Sequence, residues 1–355
     1  MQIAGLCLIL TVLVATNASA AMPPEELVQA VVRRLVELNP GFDGKVTSEI
    51  HDGAVTSVGL VTDHVANVAP LRELVGLKSL ICAGSGNKTG RLVDLSPLKD
   101  LPLTMLDCGG NQVSDLSPLA GMKLKVFYCY RSRVSDLSPL KGAQLTELHC
   151  YGAPVSDLSP LKGMKLRKLN CVATSVSDLT PLRDMKLESL DCTATGVSDL
   201  TPLKEMKLTS LNIAFTTVSD LSPLKQMRLT GLYCQHTRVA DLSPLDGMKL
   251  EELYCGATLV SDLSPLKGMK LAVLLCEDTA VSDLTPLKDM PLRVLNCRNT
   301  KVSDLSPLRD VPLASLMCSF RPDRDAAILR SIKSLKQINE KSAKVFWEEV
   351  SATKP

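Results

Sequence analysis

The chain has 355 residues, 45% of them hydrophobic but only 3% aromatic, so any interior it builds is aliphatic. Forty Lys and Arg stand against 38 Asp and Glu, and both signs are spread along the whole sequence. The net charge of +2 gives no electrostatic case for nucleic acid or an anionic membrane as partner.

The N-terminus reads MQIAGLCLILTVLVATNASAAMPP. The apolar run from Ile3 to Ala15, followed by the small-x-small pattern Ala18-Ser19-Ala20, predicts a signal peptide over residues 1–20 with cleavage after Ala20. Export to the periplasm, the cell surface or the medium follows. The run is short for a membrane span, which takes about 20 apolar residues. Lys and Arg are absent ahead of it, and an uncleaved anchor is the alternative. Cys7 does not fit a lipidation signal, because Leu6 stands where a small residue is needed. Charged residues recur through the rest of the chain, so the mature protein is expected to have no membrane span.

Residues 21–54 predict an N-terminal cap. Pro23-Pro24-Glu25-Glu26 opens a helix to Leu38, with Leu27, Val31, Leu35 and Leu38 on one stripe. Asn39-Pro40-Gly41 ends it, and Asp52-Gly53 predicts a hairpin turn.

Residues 55–320 carry the dominant feature. The segment VSDLSPLK or a near copy recurs every 21 residues, anchored at Leu92, Val113, Val134, Val155, Val176, Val197, Val218, Val239, Val260, Val281 and Val302. Such regularity belongs to a stack of one structural unit. Within a unit, Leu103-Thr-Met-Leu106-Asp-Cys108 alternates as a strand with Leu103, Leu106 and Cys108 turned inward. Ser117-Pro118 predicts a capping hydroxyl ahead of a short 3₁₀ or α turn, whose inner face is Leu116, Leu119 and Met122. Asp94 to Asp304 form a like-charged file that requires backbone N–H donors to each carboxylate; calcium-binding Gly-Gly-x-Gly-x-Asp loops are absent. With the earlier copies at Val55–Val65 and Leu77–Cys82, the array has about thirteen parallel strands and a length of roughly 60 Å. Gly84 to Gly90, a five-residue insertion, lacks the Gly-Lys pair of a phosphate loop and reads as a surface loop.

Eleven cysteines follow Cys7, all at one repeat position: Cys82, Cys108, Cys129, Cys150, Cys171, Cys192, Cys234, Cys255, Cys276, Cys297 and Cys318. Exported proteins usually pair cysteines. Here stacked strands keep successive Cβ vectors parallel, which suits neither a disulfide nor a tetrahedral metal site. Ile213 takes the same position in one unit without disturbing the register. The position therefore asks for a small buried apolar group, and free thiols are expected. No metal, cofactor or catalytic motif is read; the four histidines form no metal or hydrolase pattern.

Function is sought in the columns that refuse to repeat. The residue before each Cys and the residue after it vary freely and face out of the sheet. All five tyrosines lie in these two columns. Stacking gathers Tyr128, Tyr130, His149 and Tyr151 into one cluster, and Tyr233, Tyr254 and His236 into another. Tyrosine is enriched where proteins bind one another, since it buries much area at small entropic cost. It is also a good strand residue on an open face. Residues 321–355 predict a helical C-terminal cap: a helix over Asp323 to Ile332, then Leu335 to Ile338, then a helix with Phe346 and Trp347.

The unit L-x-x-L-x-C-x-x-T-x-V-S-D-L-S-P-L-K-x-M-K resembles bacterial leucine-rich repeats, near the internalin-like class. It is most similar to a cysteine-containing variant often joined to serine/threonine protein kinases. The leading segment Leu38 to Val46 and the trailing segment Arg324 to Ile332 share the likeness, which spans roughly residues 23 to 350. The ladder Asn of such repeats survives only at Asn111; Thr stands there from Thr174 to Thr300 and is expected to bond between turns with its single donor. Kinase motifs are absent. The resemblance implies an α/β solenoid: a right-handed curved stack with a parallel sheet on the concave face, short 3₁₀ or α turns on the convex face and helical caps. It also implies a generic role in binding proteins. The expectation is a non-enzymatic, monomeric, exported protein whose concave face binds a protein or peptide; the alternative is a structural envelope component without a specific partner.

Overall fold

The structure, a computed structural model, describes residues 22–352. The segment read as a signal peptide, with Cys7, lies outside the described residues. Helix α1 (Pro24–Leu38) precedes a hairpin of β1 (Val46–His51) and β2 (Ala54–Leu60). Asp52 and Gly53 both have positive φ, 50° and 72°, the backbone that a tight two-residue hairpin demands. Then come β3 (Ser79–Ile81), β4 (Met105–Asp107), β5 (Val126–Tyr128), β6 (Glu147–His149), β7 (Lys168–Asn170), β8 (Ser189–Asp191) and β9 (Ser210–Asn212). They continue as β10 (Gly231–Tyr233), β11 (Glu252–Tyr254), β12 (Val273–Leu275), β13 (Val294–Cys297) and β14 (Ser315–Cys318). Helix α2 (Pro322–Ser331), β15 (Gln337–Ile338), β16 (Lys341–Ser342) and α3 (Ala343–Ala352) complete the chain.

All sixteen strands of the described residues form one sheet in chain order. Pairing is parallel from β2 to β15 and antiparallel only at the two ends. A repeat of constant length leaves nothing to shift the register, so Leu106, Phe127, Leu148 and Leu169 pair in a straight file. Behind the sheet these residues, the cysteines and the Val and Leu of the return path make one continuous core. At the C-terminal end that core is closed by Phe320, Phe346 and Trp347 packed edge to face, with Arg330 lying 4.0 Å over the Trp347 ring.

The return path is a 3₁₀ turn of Ser/Thr-Pro-Leu in each regular unit, such as Ser117–Leu119. The expected capping hydroxyl is corrected here. Ser117 is the first residue of the turn, and both its N–H and its hydroxyl donate to the Asp115 carboxylate, at 2.8 Å each. A carboxylate two residues back is the stronger acceptor, so the serine becomes a donor. The arrangement recurs along the file, for instance at Asp157–Ser159 and Asp262–Ser264. These bonds hold the carboxyls of Asp115, Asp157, Asp241, Asp262 and Asp304 below the ordinary range. A depressed folded pKa contributes stability that is complete above the unfolded value, near 3.9, and is lost as pH falls through the folded values. Thermal unfolding temperature is therefore expected to be flat from pH 7 to about 5 and to fall steeply below about 4. The D157N/D241N/D262N variant should start lower and fall less steeply, which melts across pH would show.

A second correction concerns the ladder. Thr195 donates its hydroxyl to the Cys192 carbonyl three residues back, at 2.6 Å, and Thr237 and Thr279 do the same in their own units. The single donor is spent at home and does not bridge turns. Only Asn111 crosses: its Nδ2 donates to the Cys82 carbonyl of the previous unit at 2.7 Å and to Cys108 at 3.1 Å. Its Oδ1 accepts from Leu92 N–H at 3.1 Å and from the Thr62 hydroxyl at 2.7 Å.

All eleven cysteines of the array are buried free thiols. Burial pushes the thiols up, that of Cys150 to about 12, which keeps it protonated and unreactive. Several donate S–H to the carbonyl of the next strand, as Cys171 does to Asp191 at 3.4 Å.

Candidate functional site: the open face of the sheet

Parallel pairing puts the same column of successive units side by side at about 4.8 Å, which is also a good separation for stacked rings. Repetition alone therefore brings aromatic neighbours into contact. Tyr128 stacks on His149 with centroids 4.4 Å apart and planes at 20°. In the next column Tyr130 stacks on Tyr151 at 4.8 Å and 3°, with Arg131 5.5 Å from the Tyr151 ring centre. Tyr130 has a place to lie because Gly109 lacks a side chain: a Cβ there would be 2.4 Å from the ring.

Acidic groups tie the first cluster together. The Tyr128 hydroxyl donates to Glu147 Oε1 at 2.7 Å, and His149 Nε2 stands 3.1 Å from the same oxygen. Lys168 Nζ lies 3.7 Å from the other oxygen. Partial burial lowers the His149 pKa despite Glu147, so the imidazole is neutral at pH 7. Burial raises the Asp107 carboxyl, and burial with nearby Asp107 pushes the Tyr130 phenol to about 12. Burial also raises the Tyr128 phenol, so the Tyr128 and Tyr130 hydroxyls stay protonated as donors on a half-buried surface.

The second cluster is built differently. The Tyr233 hydroxyl donates to Glu252 Oε2 at 2.6 Å, and Tyr254 meets Tyr233 edge-on at 4.8 Å and 77°. Gly231 lets the Tyr233 ring lie close to the strand. His236 takes another partner than the two tyrosines with which sequence grouped it. It stacks on Phe215 at 4.2 Å and 16°, one column further along the chain. Both residues have a left-handed backbone, φ 56°. Phe215 is 54% exposed, and on the N-terminal side of the first cluster Ile81 is 45% exposed. Sequence reading missed Phe215, Glu147 and Glu252. The two glutamates were findable, since each stands two residues before an aromatic and so shares its face.

No protein-family model matches the sequence, and no curated protein does either. Among solved structures, an internalin of Listeria monocytogenes superimposes with a TM-score of 0.67, covering 91% of this chain and 92% of its own at 24% identity. The chain has the internalin-like leucine-rich repeat fold. A leucine-rich repeat protein of Leptospira interrogans follows at TM-score 0.53 and 14% identity, over 79% of this chain and 94% of its own. The Arabidopsis receptor kinase HAESA, solved with the peptide hormone IDA and the co-receptor SERK1, reaches 0.58 at 16% identity, over 82% and 59%. This leucine-rich repeat chain has no helix, among its described residues, long and apolar enough to cross a membrane.

Proposed function

We propose that this is an exported, non-enzymatic binding protein that holds a protein or extended peptide across the open face of its sheet. The stacked pairs Tyr128–His149 and Tyr130–Tyr151 carry the reading: rigid rings with protonated hydroxyls on a rigid sheet are what a hot spot requires. Tyr233 and Tyr254 provide a second contact five strands away, roughly 24 Å at ~4.8 Å per strand, a distance that one extended segment spans. Glu147 and Glu252 beside the two patches favour a segment with donor or cationic side chains. The HAESA complex, which holds a peptide hormone on the same fold, fits this reading.

The test is a display selection of peptides on wild-type protein, followed by titration of the selected peptide. Replacing Tyr128, Tyr151, Tyr233 and Tyr254 together by Ala is expected to weaken binding at least tenfold and leave the folded circular dichroism spectrum unchanged. Equal affinity in a folded variant excludes the sheet face.

A further inference from the structure

Near-neutral overall charge conceals a separation that only the fold reveals. The loops leading into the strands, residues 141–144, 162–165, 183–186, 204–207, 225–228, 246–249 and 267–270, hold twelve Lys and Arg but three Asp and Glu. Stacking lays these loops side by side along one edge of the solenoid, while the Asp file runs along the return path. The edge cations are exposed, and none takes part in a salt bridge among the described residues. The acidic groups facing them are Asp184, Glu205 and Asp246 in the loops, Glu188 and Glu251 at strand starts, and Asp199 of the Asp file, which feels Arg183. Glu188 is already engaged by Arg167 through two hydrogen bonds.

The same edge is grooved. Five open clefts of about 410 to 620 Å³ lie between neighbouring loops. One is walled by Lys165 and Lys186 over Met164 and Met185, another by Lys249 and Lys270 over Met248 and Met269. These two have a thioether floor and lysine walls, with Asp184 and Glu188 in the one and Asp246 and Glu251 in the other also on the lining; neighbouring loops recur about every 4.8 Å.

We propose that this edge binds a linear acidic polysaccharide, laid along the stack with its anionic groups between the lysines and its ring faces on the methionine floors. The repeat distance is comparable with one sugar ring of an extended chain. It does not match duplex DNA, whose phosphates recur about every 3.4 Å along each strand. Single-stranded nucleic acid is disfavoured as well, because these loops contain no aromatic residue on which bases stack. The inference is independent of the sheet-face reading, since it uses other residues on another side.

The probes are dextran sulfate, polygalacturonate, neutral dextran and oligo(dT), titrated at 50 and 200 mM salt. The two acidic glycans are expected to bind, with affinity falling about tenfold or more across that salt range as counterions are released. The folded variant K165Q/K186Q/K207Q/K249Q should bind them at least tenfold more weakly, the matching Lys→Arg variant should retain binding, and the tyrosine variant should be unaffected. Absence of glycan binding at 50 mM salt overturns the proposal. So does equal binding by the Gln variant, or tighter binding of oligo(dT) than of either glycan.

Discussion

Replacing Asn111 by alanine is expected to destabilise the N-terminal third of the solenoid by about 3–5 kcal/mol, from several buried groups losing partners at about 1–3 kcal/mol each. The amide oxygen accepts two bonds and the amide nitrogen donates to carbonyls of two units, at the junction of three segments. Without it the Leu92 N–H loses its side-chain acceptor and the Cys82 carbonyl keeps only the longer bond from the Thr62 hydroxyl, at 3.3 Å, at a site where Asn111 itself is 0% exposed. The consequence is local. Asn111 stands at the turn that borders the insertion, where Gly90 lies so near that a Cβ on it would be 2.1 Å from Asn111 Oδ1. Limited proteolysis should therefore cut first within residues 84–90 of the variant, before global unfolding. Asn111→Thr should fall between: the hydroxyl can satisfy Cys108 as Thr195 satisfies Cys192, but is too short to reach the previous unit. An unaltered proteolysis pattern in N111A would remove this account of why asparagine persists here.

Phe127 gives the second large effect. It occupies a file filled by leucine elsewhere from Leu80 to Leu316, is completely buried, and pairs by register with Leu106 and Leu148. Phe127→Ala is expected to cost about 3–5 kcal/mol through lost transfer energy and the cavity left behind. Phe127→Leu restores the residue of the neighbouring units and should cost about 1 kcal/mol, the price of imperfect refilling. Because repeats are stabilised by nearest neighbours, urea unfolding of F127A should show a separate early phase from the damaged units, not a uniform shift of one transition. A single shifted transition would mean that the stack unfolds as one unit despite its linear build.

The fold was legible because packing columns print themselves in a sequence of constant period. Leu103, Leu106, Cys108 and Val113 could be placed inside without any coordinate, and Ile213 showed what the cysteine position asks for. Interactions between columns were less legible. Nothing in Asp115-Leu116-Ser117 says whether serine accepts or donates; the carboxylate's stronger basicity decides it. Thr195 and Asn111 hold the same repeat position, and only side-chain length determines that one bonds within its turn and the other across. Phe215 escaped notice, and His236 was grouped with the wrong partners, because their column mixes Gly, Arg, Ala, Phe, Asp and Asn, which hides its left-handed backbone. Charge is the clearest case. Its sum is read from composition, while its direction depends on which loops the stack lines up.

The two antiparallel hairpins at the ends of the sheet have a consequence for self-assembly. A rod of near-identical turns is open to polymerisation, because the last turn of one copy resembles the surface on which the first turn of another would dock. Here the terminal strands run against the rest: β1 presents Val-Thr-Ser-Glu-Ile-His and β16 only Lys-Ser. Neither carries the Leu-x-Cys lining that the next turn of a growing filament would need to bury. A reversed, polar or very short edge strand is how sheets avoid indefinite extension. Among the described residues the stack is thus closed at both ends by strand direction, independently of the helices that cover its core.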